Sequence, residues 1–155
     1  MHPTPSFRRA RPEDAALLSG MARAGKQYWG YPADWMAVWE KVLTITPDYI
    51  GSQPVVVAEL AGEAAGFFGL RSAEDGWHLE HLWVRPAHIG QGLGRALFAE
   101  ALRLAGQAGA TELLIKSDPH AEAFYLKMGA VRTGQEVYLL LGKIRRELPE
   151  LTCPL

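Results

Sequence analysis

The sequence predicts an α/β (α+β) fold, a mixed central sheet of about six to seven strands flanked by four helices. Three observations carry that expectation. Residues 54–60 (PVVVAEL) form a β-branched run, and residues 64–71 (AAGFFGLR) answer it across the tight turn Ala61-Gly62-Glu63, as a hairpin does. Residues 77–84 (WHLEHLWV) read as a third strand that leads through a loop into a strongly amphipathic helix over 91–108. Strand and helix patterns then alternate, with no internal repeat, low-complexity tract or long linker to divide the chain.

The elements follow in order. A short strand over 7–10 ends at Arg11-Pro12-Glu13-Asp14, where an early proline and first-turn acids suit the unpaired amides and positive dipole end of a helix. Ala16, Leu17, Met21 and Ala24 then mark one face of a first helix. Pro32-Ala33-Asp34 begins a second, carrying Trp35, Met36, Val38, Trp39 and Val42. The intervening residues 26–32 are a loop rich in aromatics. Asp75-Gly76 turns the chain into the third long strand, residues 111–116 (TELLIK) supply the next, and residues 119–128 make a short helix closed by Gly129. Val131 and the run 137–141 provide the last strands.

Composition narrows the possible functions. A chain of 155 residues suits one ordinary domain spanning 1–155, and 48% apolar with 21% charged residues is a soluble globular composition. The 16 basic and 17 acidic side chains nearly cancel. No general attraction to nucleic acid or to an anionic membrane follows, so an anion has to be bound at a local site. No apolar run approaches the ~20 residues a membrane span requires. Arg8, Arg9 and Arg11 lead into Pro12-Glu13-Asp14 rather than an apolar stretch, so no secretory leader is expected and the location expected is cytoplasmic. The lone Cys153 cannot form an internal disulfide or a Cys-rich metal site and is expected at a frayed terminus. No metal is expected.

Residues 84–97 are the most informative stretch. Gly90, Gly92 and Gly94 alternate with Gln91 and Leu93 between a strand and a helix, followed by Arg95. Missing Cβ atoms allow a sharp turn and close approach of a ligand, and the first amides of the helix favour an anion such as a diphosphate. A flexible turn with helix-start glycines would look the same. Two other phosphate loops fail: Gly94-Arg95-Ala96 is not the Gly-Lys-Ser/Thr of a P-loop, and the glycine spacing is not that of a dinucleotide fingerprint.

These residues resemble the GNAT superfamily of N-acetyltransferases. Its acetyl-CoA signature is Gln/Arg-x-x-Gly-x-Gly/Ala after a Val-x-Pro turn; Gly92, Gly94 and Val84-Arg85-Pro86 match, while Ile89 departs at the Gln/Arg position. Residues 117–130 look like its second motif, Asn-x-x-Ala-x-x-Phe/Leu-Tyr-x-x-x-Gly-Phe: Ala121, Phe124, Tyr125 and Gly129 match, with Asp118 in place of Asn and Ala130 in place of Phe. The resemblance spans residues 7–141. It implies acetyl-coenzyme A as cosubstrate, held by Leu82, Trp83, Val84, Ile89, Gly90, Gln91, Gly92, Leu93, Gly94, Arg95, Asp118, Ala121, Phe124 and Lys127. It also implies Tyr125 as the acid that protonates the departing thiolate; packing alone is the competing account of this side chain.

A base for the amine is sought in the strand 77–84, where alternation puts His78, Glu80, Leu82 and Val84 on one face and His81 on the other. His78 and Glu80 match positions where the superfamily often carries a base; they also suit mutual pairing, or pairing with a neighbour. Tyr28, Trp29 and Tyr31 fall where such proteins build the acceptor wall, although core packing explains aromatics equally well. The acceptor is a small-molecule amine, a lysine or a protein N-terminus, and a homodimer is compatible. The reading is direct attack by the amine in a ternary complex; a non-catalytic acyl-CoA sensor is the alternative.

Overall fold

A computed structural model describes residues 3–155. Seven strands, β1 (Ser6–Arg9), β2 (Val55–Leu60), β3 (Glu63–Ala73), β4 (Gly76–Val84), β5 (Glu112–Lys116), β6 (Val131–Leu140) and β7 (Ile144–Pro154), form one sheet. Their order is β1-β2-β3-β4-β5-β7-β6. Every neighbouring pair is antiparallel except β4 and β5, which run parallel. The mixed sheet agrees with the expected fold class.

The helices are six segments: α1 (Ala15–Gln27), α2 (Ala33–Val38), α3 (Glu40–Leu43), α4 (Pro47–Ser52), α5 (Leu93–Gln107) and α6 (Glu122–Lys127). Among the described residues no helix is long and apolar enough to cross a membrane. Along β2, Val56, Ala58 and Leu60 join a core beneath α5 that includes Phe68, Leu97, Phe98 and Leu113. Val55 and Val57 join an opposite core with Leu18, Met21, Leu43 and Phe67. A strand buried on both faces reads as a continuous apolar run, which is why PVVVAEL lacks alternation.

The helix expected over 32–42 is broken at Trp39, whose backbone (φ −88, ψ 0) leaves the helical region between α2 and α3. Its indole is buried, and Nε1 donates to the Tyr138 hydroxyl at 3.2 Å. The short α4 was not expected. Thr46 caps it by accepting from the Tyr49 amide at 3.1 Å, with Pro47 at the first helical position. The helix predicted from 91 starts at Leu93, after Gly92.

The largest correction lies at the C-terminus. Val131 and residues 137–141 do not form separate strands: β6 runs through both. The unexpected β7 then inserts between β5 and β6, which pair with its two edges. Cys153 therefore lies inside the sheet, 3% exposed and packed with Leu151 under α5. The frayed terminus expected there does not exist. Charges and Pro149 obscured the strand, because proline within a run argues against a central position.

Burial also pushes the Cys153 thiol pKa up, which suppresses the thiolate. An aromatic disulfide reagent is expected to label Cys153 only as fast as β7 opens in native buffer, and at once in denaturant. Leu151→Ala should cost about 2–5 kcal/mol by denaturant titration and accelerate labelling in step.

Candidate active site

β4 and β5 pair only where residues 77–79 face residues 113–115, although both strands run further. The separation begins at a β-bulge. Leu79 stands opposite Leu70 and His81 opposite Gly69, leaving Glu80 as the extra residue. A bulge bends its strand, so the rest of β4 turns from β5 with one backbone edge unpaired. Tyr49 supports the bend from α4: it lies over Gly69, where a Cβ would collide with its hydroxyl, and that hydroxyl donates to the Leu70 carbonyl at 2.9 Å. The strands open into a cleft of about 1460 Å³.

The bulge also reassigns the faces of β4. Leu82 and Val84 do not share a side with His78 and Glu80; with Leu79 they pack toward the core under α5. His81 and Trp83 turn the other way, His81 against Tyr49 and Phe67. His78 stands opposite Arg71 on that side, and Arg71 Nε donates to Glu80 at 3.0 Å. One inserted residue is enough, because side chains alternate with period two.

On one lip of the cleft, Gly90 and Gly92 both take φ +83, the left-handed conformation that favours glycine. Ala96 donates to the Gly92 carbonyl at 3.1 Å. The amides of Leu93, Gly94 and Arg95 precede that bond and have no partner among the described residues. A Cβ on Gly94 would stand 3.6 Å from Phe124, so this helix start packs closely on α6. Beyond Phe124, the Tyr125 ring lies edge-on to Phe98 at 5.6 Å. Burial pushes its phenol pKa well above the ordinary value, with the Asp118 charge adding to the rise, so the hydroxyl stays protonated. That hydroxyl faces the cleft with no hydrogen-bond partner among the described residues.

Asp118 organises the other lip. Its Oδ1 accepts from the His120 amide at 2.8 Å and caps the turn before α6. Its Oδ2 accepts from Lys26 Nζ at 2.6 Å and from the Tyr31 hydroxyl at 2.8 Å. Burial alone would raise this carboxyl, but the Lys26 charge and hydrogen bond and the His120 amide hold it below the usual carboxylate range. Asn has one oxygen and no charge to offer Lys26, which accounts for Asp at this position. The Lys26 ammonium also lies 4.4 Å from the Trp39 ring centre, and the Arg146 guanidinium 5.1 Å from that of Tyr31. Burial pushes the Tyr31 phenol up to about 12.

Most of the residues singled out in the sequence meet at this cleft. Its walls include His78, Glu80, Leu82, Trp83 and Val84 from β4, Ile89, Gly90, Gly92, Gly94 and Arg95 from the loop, and Asp118, Ala121, Phe124, Tyr125 and Lys127 from the second motif. Gln91 and Leu93 are not on the wall; the Leu93 side chain enters the core. Of the three loop aromatics only Trp29 lines the cleft, stacked on His120 at 4.9 Å and 8°. Tyr28 is half exposed against Trp29, and Tyr31 faces the Asp118 network rather than an open wall. Neither polar residue proposed as base is free: His78 Nε2 lies 2.7 Å from Asp75 and Glu80 is held by Arg71. Lys26, His120 and Arg146 were not anticipated, since each is defined by a partner remote in sequence.

The chain matches the profile of the acetyltransferase (GNAT) domain over residues 36–139. It is 30% identical over 113 residues to N-acetyltransferase family 8 member 3 of Mus musculus, covering 66% of this chain and 50% of that protein. It is 34% identical over 100 residues to the peptidyl-lysine N-acetyltransferase YjaB of Salmonella typhimurium, covering 64% of this chain and 65% of that protein. The chain thus spans about half the length of the mouse relative and under two thirds of the bacterial one. Among solved structures, a GCN5-related N-acetyltransferase from Rhodopseudomonas palustris superposes with a TM-score of 0.83 at 25% identity, over 100% of this chain and 98% of that one. The PaiA N-acetyltransferase of Thermoplasma acidophilum, solved with coenzyme A, shares the fold at a TM-score of 0.81 and 17% identity, over 98% of this chain and 99% of that one.

The Asp118 network makes a stability prediction with a definite sign. A carboxyl lowered on folding contributes stability above its unfolded pKa, and the contribution is lost as pH falls through the folded value. Asp118→Asn is expected to lower stability by about 2–3 kcal/mol near neutral pH, by leaving Lys26 poorly paired. Urea titrations of the two proteins should converge at acid pH, where Asp118 is protonated.

Proposed function

Because the chain belongs to the GNAT acetyltransferase family, we propose that it binds acetyl-coenzyme A in the β4–β5 cleft and transfers the acetyl group to an amine. The observation that carries this reading is the juxtaposition across one cleft of two amides, at Gly94 and Arg95, with no partner among the described residues, and the protonated Tyr125 hydroxyl. Diverging amides at a helix start, with the positive dipole end behind them, suit a diphosphate. These are backbone groups, which is why Ile89 can stand where a side-chain donor is usual. Arg95 and Lys127 add positive charge at the rim.

Beyond Glu80 the backbone edge of β4 is unpaired, and the coenzyme's arm would lie along it. Amides on that edge can hold the arm by strand-like hydrogen bonds, and one near Val84 can polarise the acetyl carbonyl. The amine, once deprotonated, attacks that carbon directly in a ternary complex. Its proton leaves through His78 or Glu80, directly or through water. His78 is the better oriented, because Asp75 holds its Nε2 at 2.7 Å and fixes the ring. Tyr125 gives its proton to the departing sulfur.

The acceptor enters from the side of α1–α3, where Trp29, Lys26 and Trp39 line the cleft. A small-molecule amine, a lysine side chain or a protein N-terminus fits this opening. Association of two chains through edge strand β6, which exposes Val137 and Leu139, belongs to the same reading. A non-catalytic acyl-CoA sensor is the second reading, favoured by Ile89 and by the engagement of Asp118 with Lys26. Amine-dependent release of free thiol across an acceptor panel separates the two.

Two measurements test the coenzyme site. Millimolar acetyl-CoA should raise the melting temperature, since a ligand of the folded state stabilises by mass action. Gly92→Val, which forces a β-branched residue to φ +83, should abolish that shift while leaving a folded apo protein. Tyr125→Phe should slow single-turnover transfer by roughly 10²-fold while the acetyl-CoA dissociation constant moves by less than about threefold. An unchanged rate would leave Tyr125 as packing alone.

A further inference from the structure

His81 follows the bulge on β4 and lines the cleft on the side from which the acceptor enters. The indole Nε1 of Trp83 lies 3.1 Å from its Nδ1. Indole N–H can only donate, so Nδ1 must be a bare acceptor. In the neutral ring the proton then sits on Nε2. Nε2 has no hydrogen-bond partner among the described residues, and it is not sealed from solvent.

Trp83 has little freedom to release this contact. Its ring lies flat on α1 at Gly25, where a Cβ would stand 2.5 Å from it. The imidazole itself packs against Phe67 at 6.0 Å and Tyr49 at 5.9 Å. The polar groups around it are engaged elsewhere: Glu80 with Arg71, and the Tyr49 hydroxyl with the Leu70 carbonyl.

We infer that His81 is a positioning residue, a permanently neutral imidazole locked by Trp83 as the Nε2–H tautomer, whose single donor is offered to an oxygen atom of the bound reactants. A proton arriving at His81 would set an Nδ1–H against the indole N–H. The ring is correspondingly hard to charge: burial pushes its pKa down to about 4, with Glu80 opposing only in part. His81 therefore cannot take the amine's proton without breaking the contact that orients it. The oxygen it addresses belongs either to the acyl carbonyl or to the acceptor. Naming the reactants rests on the acetyl-transfer reading; the tautomer does not.

The tautomer can be read without activity. Long-range 15N–1H spectra of the labelled full chain, with His81 assigned by its loss in His81→Gln, should show an Nε2–H imidazole that does not titrate between about pH 5.5 and 8.5. In Trp83→Phe, which removes the indole donor and keeps the burial, the ring should stay neutral in that range but populate the Nδ1–H tautomer as well. An Nδ1–H ring, or a midpoint above about 6 in the parent, would overturn the inference. In kinetics, His81→Phe should cost roughly tenfold or more in kcat/KM, and His81→Gln, which keeps an N–H donor, should recover part of it. A slower single-turnover rate at unchanged acceptor KM places the oxygen on the acyl group, whereas a raised acceptor KM places it on the acceptor. Unchanged constants in His81→Phe would overturn the role. A panel of amines that gives no transfer at all would instead overturn the proposed function, leaving the spectra to decide the tautomer.

Discussion

The insertion of Glu80 into β4 is the constraint on which the rest of the site depends. Without it, β4 and β5 would continue their parallel ladder and close the sheet where the cleft now opens. With it, β4 leaves its neighbour, exposes one backbone edge and exchanges the facing of every following side chain. Leu82 and Val84 thereby continue the core begun by Leu79, while His81 and Trp83 turn to the face covered by α1 and α4. The bend is supported at two points on one face: Tyr49 occupies the space over Gly69, and Trp83 occupies the space beside Gly25. A wedge held open by packing keeps its shape before any ligand arrives.

The opposite lip is held by charge rather than by backbone. Asp118 draws together Lys26 from α1, Tyr31 from the following loop and His120 from its own turn, with Arg146 of β7 stacked behind among aromatic rings. A buried ion pair contributes modestly to stability once desolvation is counted, and its best-attested benefit is a single defined arrangement. Here that arrangement joins the N-terminal helices to the C-terminal strands across the mouth of the cleft. The wall at Lys26 and Tyr31 is thus tied to the turn at Asp118 and His120.

What could be read from the sequence was what is local. The hairpin of β2 and β3, the amphipathic α5 and the left-handed glycines before it are each specified within a few residues, and each appears where expected. The bulge at Glu80 was invisible because WHLEHLWV alternates acceptably in either register. The glycines at 25 and 69, each facing one aromatic ring, were signs that helices pack closely on that face of the sheet. β7 was hidden by Pro149 and by its run of charged residues, although Leu151 and Cys153 are deeply buried. The Lys26–Asp118 bond joins residues 92 apart in sequence, and no periodicity reports a contact of that kind.

The two sides of the cleft differ in what holds a ligand, and the difference bears on specificity. On the acetyl-transfer reading, the coenzyme side consists of amides at Gly94 and Arg95, a strand edge and a phenol that burial keeps protonated. None of these depends on pH near neutrality, and substitution of an exposed side chain such as Ile89 changes little there. The other side is built from side chains already committed to one another: Arg71 with Glu80, Asp75 with His78, Lys26 with Asp118 and Trp83 with His81. On the acetyl-transfer reading, an incoming amine meets a preorganised set of dipoles and pairs rather than free charges, and is selected by fit to those directions more than by net attraction. Discrimination of that kind comes from the penalty of leaving such groups unmatched, and a change at any one partner alters the acceptor side while the coenzyme site remains intact.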